Sequence, residues 1–271
     1  VEKLPLAPSG AALAGGAVHE VIEEMIREDN WWRDPFMVEN EGARRAIVKF
    51  EKAVEEAGGA DACRWGGRKR NLKDEAGKDV VDEQGNKIKV GEDYRWMIQT
   101  LPTWVKRAGT ILRRDEQSGL YIVQANVERS VTAWLVPPEQ DLPYCVAITG
   151  IIDLMLLADD LGQPRIRDWK TGTMLEKVQL AVYAWLLEQL PDSVRISTNQ
   201  GEIAYLRGSK PEDWIKPYDL TGLKPVVPQL FLRMVQGLEA GVYHLNPSSF
   251  CGSCWVKEHC PVGRGMGEEA A

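Results

Sequence analysis

Apolar residues in the first part of the chain recur at helical spacing. Leu13, Ala17, Val18, Val21, Ile22, Met25 and Ile26 line one face of a helix predicted over residues 9–29, with Ser9 placed to cap its first turn. A second helix is predicted over residues 41–57, ended by Gly58 and Gly59. Residues 58–93 lose the period. They are rich in Gly, Lys, Asp and Glu, residues 82–87 read as a hairpin turn or loop, and the stretch reads as an insertion with little core of its own. Residues 94–114 return to helical spacing, with a break or kink expected at Pro102.

The period then shortens. Residues 120–136 and 144–158 are rich in β-branched and aromatic side chains and predict two strands. A tight turn over residues 159–164 leads to a third strand at 165–170. An amphipathic helix follows over 174–190 and ends before Pro191. A strand is predicted over 193–206 and a further helix over 223–241. Helices, a meander, then a helix and another strand predict an α/β fold, a mixed β-sheet flanked by helices. The corresponding division is N-terminal helices over 1–57, a helical and loop insertion over 58–115, a core over 116–245 and a Cys-rich tail over 246–271.

Composition narrows the function classes. The 271 residues are 44% hydrophobic and 27% charged, ordinary for a globular chain. No apolar run suits a bilayer, since residues 148–158 are interrupted by Gly150 and Asp153, and no leader pattern precedes the first helix. A membrane partner is not expected. The chain opens with Val1, which suggests a natural start further upstream. A net charge of −7 taken alone argues against nucleic acid. Two basic runs argue the other way: Arg64, Arg68, Lys69, Arg70 and Lys73, and Lys106, Arg107, Arg113 and Arg114. Either run also reads as solvated surface. Trp31, Trp32, Trp65, Trp96 and Trp104 could stack bases, although most of the ten tryptophans are expected in the core. Of five cysteines, Cys251, Cys254 and Cys260 crowd the C-terminus, while Cys63 and Cys145 stand alone. That pattern is no disulfide framework. It points to a reducing, cytoplasmic setting and a metal or cluster site, with Cys145 as core.

The candidate chemistry begins at Asp153, a charge inside an apolar strand, where it is costly unless paired or metal-bound. Asp168 ends the next strand, and antiparallel pairing across the short turn can bring both carboxylates to one edge. A divalent cation relieves their repulsion. Lys170 shares the face of Asp168 and can orient or deprotonate an attacking water, or offset charge on a phosphorane-like transition state. A buried Asp–Lys ion pair is the alternative. Gln179 and Tyr183, four apart, share one helix face and follow directly on the turn after Lys170. They either lie over the same edge or reach solvent. His19 sits on the first helix beside Gly15 and Gly16, which permit close backbone approach, as a ligand or a structural histidine. Glu20 and Glu23 read as surface or supporting groups.

The ordered set G-x-x-x-H (Gly15, His19), G-x-x-D (Gly150, Asp153), D-W-K-T-G (Asp168 to Gly172) and Q-x-x-x-Y (Gln179, Tyr183) resembles the RecB-like nucleases of the PD-(D/E)XK superfamily. The resemblance spans roughly residues 5–262, although residues 58–115 match nothing in it. It implies a restriction-endonuclease-like sheet and Mg²⁺ or Mn²⁺ held by His19, Asp153, Asp168 and the main-chain carbonyl of Trp169. It further implies Lys170 acting on the attacking water, and Gln179 and Tyr183 supporting the active site or DNA. Glu128 is a candidate further acid. The tail, Cys251-x2-Cys254-x5-Cys260, resembles the 4Fe–4S segment of AddB-like nucleases and CRISPR-adaptation exonucleases, whose fourth cysteine precedes the histidine motif. Here the fourth ligand is expected upstream of Val1, or is Cys63, and a Zn²⁺ knuckle is the alternative. The resulting expectation is a DNA exonuclease of repair or recombination, with a helicase or recombination factor as the kind of partner. An endonuclease on the same fold and a non-catalytic DNA-binding protein with a zinc-stapled tail are the other readings.

Overall fold

A computed structural model describes residues 7–71, 79–82, 84–87, 89–136, 146–158, 163–172, 177–208 and 210–240. The first helical pattern forms α1, Gly10–Arg27, and Ser9 accepts a hydrogen bond from the Ala12 amide at 3.4 Å. Gly10 lies under the Trp65 indole, where a Cβ would fall 2.1 Å from the ring. A short helix, α2 (Pro35–Met37), leads through a π-turn into α3 (Ala43–Glu56). Gly58 and Gly59 follow at φ of +96° and +95°, a conformation that stops a helix at little cost only to glycine.

The segment read as an insertion with a hairpin turn or loop at residues 82–87 carries an antiparallel pair, β1 (Gly66–Asn71) and β2 (Lys89–Glu92). In the turn between them, Asp82 accepts from the amides of Gln84 and Asn86 at 2.9 and 2.8 Å. The helix α4 runs over Tyr94–Gln117 and passes through Pro102 without interruption. The expected break does not occur. One interior proline costs about 3 kcal/mol, whereas Met97, Leu101, Trp104, Val105, Ala108, Ile111 and Leu112 of this helix are all fully or almost fully buried.

The five-stranded sheet has the order β3 (Leu120–Val136), β4 (Val146–Ala158), β5 (Arg165–Lys170), β6 (Gln200–Tyr205) and β7 (Ile215–Asp219). All neighbours are antiparallel except β5 and β6, whose parallel pairing is reached through the crossover helix α5 (Lys177–Glu188). This is a mixed sheet flanked by helices. The core joins Val18, Ile22 and Ile26 of α1, Phe50 of α3 and the buried face of α4 to Val127, Leu154, Leu156, Trp169 and Ala204 of the sheet. The helix α5 lies over Gly150 and Gly201. A Cβ on Gly150 would come within 2.9 Å of Leu186, and one on Gly201 within 3.1 Å of Leu180.

Only part of the strand predicted over 193–206 forms, and β7 was not expected. It is an edge strand paired with β6 alone, and Pro217 and charged neighbours hide it from any periodicity argument. The chain divides into two units, Val1–Pro225 and Val226–Ala271. The sheet and α1 to α5 belong to the first, and α6 (Val227–Glu239) to the second. Val1, Cys145, Cys251, Cys254 and Cys260 lie outside the described residues. No helix among the described residues is long and apolar enough to cross a membrane.

Candidate active site

The site forms where two strands part. Pairing of β4 with β5 covers Leu154 to Leu156 against Arg167 to Arg165 and stops there. The next residues, Asp153 and Asp168, therefore stand on either side of the opening fork. Asp153 crosses it: its Oδ2 accepts the Trp169 amide at 2.8 Å. Both aspartates are buried. Alternation along β5 places Lys170 with Asp168, and its Nζ lies 2.8 Å from Asp168 Oδ2.

From α1, His19 reaches the same fork. Its Nε2 lies 3.0 Å from the Trp169 carbonyl oxygen, and its Nδ1 lies 3.6 Å from Asp153 Oδ2 and 3.8 Å from Glu128 Oε1. Gly15 makes this approach possible, because a Cβ there would sit 2.9 Å from Thr171 Oγ1. Gly16 has open space around it and serves no such contact. From α5, Gln179 accepts a hydrogen bond from Lys170 Nζ at 3.0 Å and donates to the Tyr183 hydroxyl at 2.6 Å. Tyr183 is buried over Gly150, where a Cβ would come within 3.0 Å of its ring. His19, Asp153, Asp168, Trp169, Lys170, Gln179 and Tyr183 thus meet at one place, supplied by α1, β4, β5 and α5.

Glu128 joins them from β3. The pairing of β3 with β4 shifts between Ile122 and Val127, and Glu128 itself adopts φ of +47°, which costs a non-glycine residue about 1–2 kcal/mol. Arg27 of α1 braces this bulge, its Nη2 donating to the Val127 carbonyl at 2.8 Å while Nη1 pairs with Glu23 at 2.6 Å. Ligand atoms of His19, Glu128 and Asp153 all lie within 4.8 Å of one another.

The electrostatics follow from this crowding. Burial alone would pull the His19 pKa down, but the carboxylates of Glu128, Asp153 and Asp168 outweigh it and raise the imidazole above its ordinary value. Burial pushes the Asp153 carboxyl up, and Asp168 and Glu128 push it further against the opposing pull of His19. Burial likewise raises the Tyr183 hydroxyl, with the nearby carboxylates adding to it. Such a site needs positive charge. The donors are one imidazole, carboxylates and a carbonyl, a set that suits a divalent cation. His19 Nε2 and the Trp169 carbonyl, 3.0 Å apart, would both be near enough to hold such an ion.

The fork opens onto a cleft of about 450 Å³ lined by Ala11, Ala12, Gly15, Gly16, Glu20 and Glu23 of α1 and by Trp169 to Gly172. Small side chains on α1 keep it open. The second basic run does not line it. Lys106 pairs with Glu39, Arg107 donates to the Leu206 carbonyl, and Arg113 donates to the Trp32 carbonyl. Trp32 and Trp104 are fully buried, and Trp65 packs against Phe50 and Tyr94, so these rings serve the core and not bases. Cys63 is a free thiol buried in the core cluster.

Behind Trp169 lies a charge cluster that the sequence reading missed. Arg167 is completely buried, its guanidinium over the Trp169 ring and hydrogen-bonded to Asp115 of α4 and Glu202 of β6. The available signal was alternation: Arg167 must face away from Asp168, in a strand covered on both sides, and so needs buried partners.

A comparison with curated proteins returns no match. The sequence pattern of the PD-(D/E)XK nuclease superfamily, in contrast, matches residues 2–261. The match takes in α1 with His19, the fork carrying Asp153, Asp168 and Lys170, and the helix carrying Gln179 and Tyr183, and the chain belongs to the PD-(D/E)XK nuclease superfamily.

Proposed function

We propose that this nuclease is a DNA exonuclease of the RecB-like kind, with its metal centre at His19, Asp153, Asp168 and the Trp169 carbonyl. The observation that carries the reading is the meeting of these groups with Lys170 at the open fork of β4 and β5. Mg²⁺ or Mn²⁺ bound there supplies Lewis-acid stabilisation of the charge that develops on the phosphate. The protein's own groups do the rest. Lys170 holds an ammonium at the mouth of the fork, positioned to orient the attacking water and to meet the negative charge of the transition state. Asp168 and Gln179 fix that ammonium from two sides, and Tyr183 fixes Gln179. Asp153 is held by the Trp169 amide, which keeps one of its oxygens turned into the strand and leaves the other for the cation. The cleft's volume of about 450 Å³ and its wall of small α1 residues leave room for a nucleic-acid strand at the fork, which is compatible with an exonuclease.

Digestion of end-labelled linear DNA and covalently closed circular DNA with Mg²⁺ or Mn²⁺ tests this. An exonuclease degrades the linear DNA and spares the circle. Nicking of the circle identifies an endonuclease. DNA binding without cleavage of either substrate identifies a binding protein.

A second proposal concerns the tail. The spacing of Cys251, Cys254 and Cys260 supports a structural 4Fe–4S cluster, suited to a reducing compartment such as the cytoplasm. Brown protein with broad visible absorbance and stoichiometric iron is the expected result. Colourless protein carrying zinc identifies a zinc knuckle.

A further inference from the structure

We infer that Glu128 sets the tautomer of His19, accepting the Nδ1 proton so that Nε2 presents its lone pair to the cation; this rests on the metal-centre reading above. A histidine that ligates a metal through one nitrogen carries its proton on the other, and that proton needs an acceptor. In the metal-centre reading the cation takes both the Trp169 carbonyl and Nε2, which lie 3.0 Å apart, so Nε2 carries no proton once the ion is bound. The proton therefore belongs on Nδ1. Two carboxylates face it, Asp153 at 3.6 Å and Glu128 at 3.8 Å. Asp153 Oδ2 already accepts the Trp169 amide at 2.8 Å, and in the metal-centre reading this carboxylate also serves the cation. Glu128 lies within reach of the same ion, but no main-chain amide among the described residues engages its carboxylate, and it is the acceptor that remains.

The backbone supports this assignment. Glu128 adopts φ of +47° at the edge of a bulge, a conformation that persists only when its surroundings hold it. Arg27 supplies the hold through the Val127 carbonyl at 2.8 Å. Because Arg27 and His19 lie eight residues apart on α1, one helix carries both the ligand and the clamp on the residue that orients it. Glu128 is thus a positioning residue, and Arg27 positions Glu128.

The test is Mn²⁺ binding to the full chain, followed by the electron paramagnetic resonance signal of free Mn²⁺, with thermal melts to confirm folding. Wild type is expected to bind, and Asp153→Asn to lose binding. Glu128→Ala weakens affinity about 10–100-fold. Glu128→Gln keeps an oxygen that accepts an N–H but ligates metal poorly, and stays within about threefold of wild type. Arg27→Met weakens affinity in the direction of Glu128→Ala. If Gln falls as far as Ala, Glu128 is a direct ligand and the inference is wrong. Unchanged affinity in Glu128→Ala overturns it as well. Absence of Mn²⁺ binding by wild type, or normal binding by Asp153→Asn, removes the metal centre and the inference with it. Nitrogen-15 histidine spectra of the Mg²⁺-loaded wild type need no variant at Glu128. The His19 signal, assigned by its loss in His19→Asn, should show the proton on Nδ1, and a proton on Nε2 overturns the inference.

Discussion

Replacing Arg167 with methionine tests the least exposed charged side chain among the described residues. The side chain is 0% exposed, and its partners Asp115 and Glu202 are 5% and 4% exposed. Methionine fills much of the space but leaves two carboxylates facing each other without water or a cation. Breaking a buried ion pair by removing one partner costs about 3–5 kcal/mol, because the stranded charge keeps its desolvation penalty. In a domain of this size each kcal/mol lowers the melting temperature by about 2–4 °C, so the drop should be about 6–20 °C. Thermal unfolding followed by circular dichroism measures it. A second construction isolates the cause. The triple variant Arg167→Met, Asp115→Leu, Glu202→Leu removes every charge of the cluster and should recover to within about 2 kcal/mol of wild type, since apolar replacement of a whole buried cluster is often neutral. Should the single variant melt with the wild type, the trio is not desolvated as described. Should the triple variant melt as low as the single, the loss comes from packing under Trp169 and not from stranded charge.

Three further predictions concern the site and its surroundings. Lys170→Met should lower the cleavage rate by about 10²–10⁴-fold while leaving DNA affinity in a filter-binding assay near wild type, because affinity rests on many phosphate contacts; near-normal cleavage removes Lys170 from the mechanism. Gly150→Ala places a Cβ 2.9 Å from Leu186 and 3.0 Å from Tyr183, so it should cost about 1–3 kcal/mol and disturb the Lys170–Gln179–Tyr183 chain, with cleavage and melting temperature falling together. Glu24 is pushed up by burial but held below its ordinary 4.5 by Lys49 and Arg45. Its contribution to stability is therefore complete above that value and lost as pH falls through its folded-state pKa, so the melting deficit of Glu24→Gln at pH 7 should shrink steadily as the pH is lowered below 4.5.

Where one physical signal dominated, the sequence was readable. The strand at 165–170 stands out because it lies between a predicted tight turn and the Thr171-Gly172 turn, and it forms as Arg165–Lys170. The helix α1 stands out because a cap and seven apolar residues agree. Other features depend on partners distant in sequence. Nothing near Arg167 in the chain announces Asp115 or Glu202. The positive φ of Glu128 arises from a bulge held by Arg27, a hundred residues away in the numbering. Pro102 was over-read, because a local rule was applied to a helix held by long-range packing. The strand β7 was under-read, because its neighbour β6 supplies what its own residues do not. Among the motif residues, the order along the chain was visible, but the way the fork of β4 and β5 joins them is a property of strand pairing.

The contact of His19 Nε2 with the Trp169 carbonyl joins positions 150 residues apart. It closes a loop that contains α2 to α4, both strands of the fork and the small hairpin. Closures of that length come late in folding, since most of the chain must already be ordered before the contact repays its entropy. During synthesis the first helix leaves the ribosome long before Trp169 exists, and Gln179 and Tyr183 come later still. A chain that has not yet reached Tyr183 lacks part of the site, because α1 supplies its first residue and α5 its last.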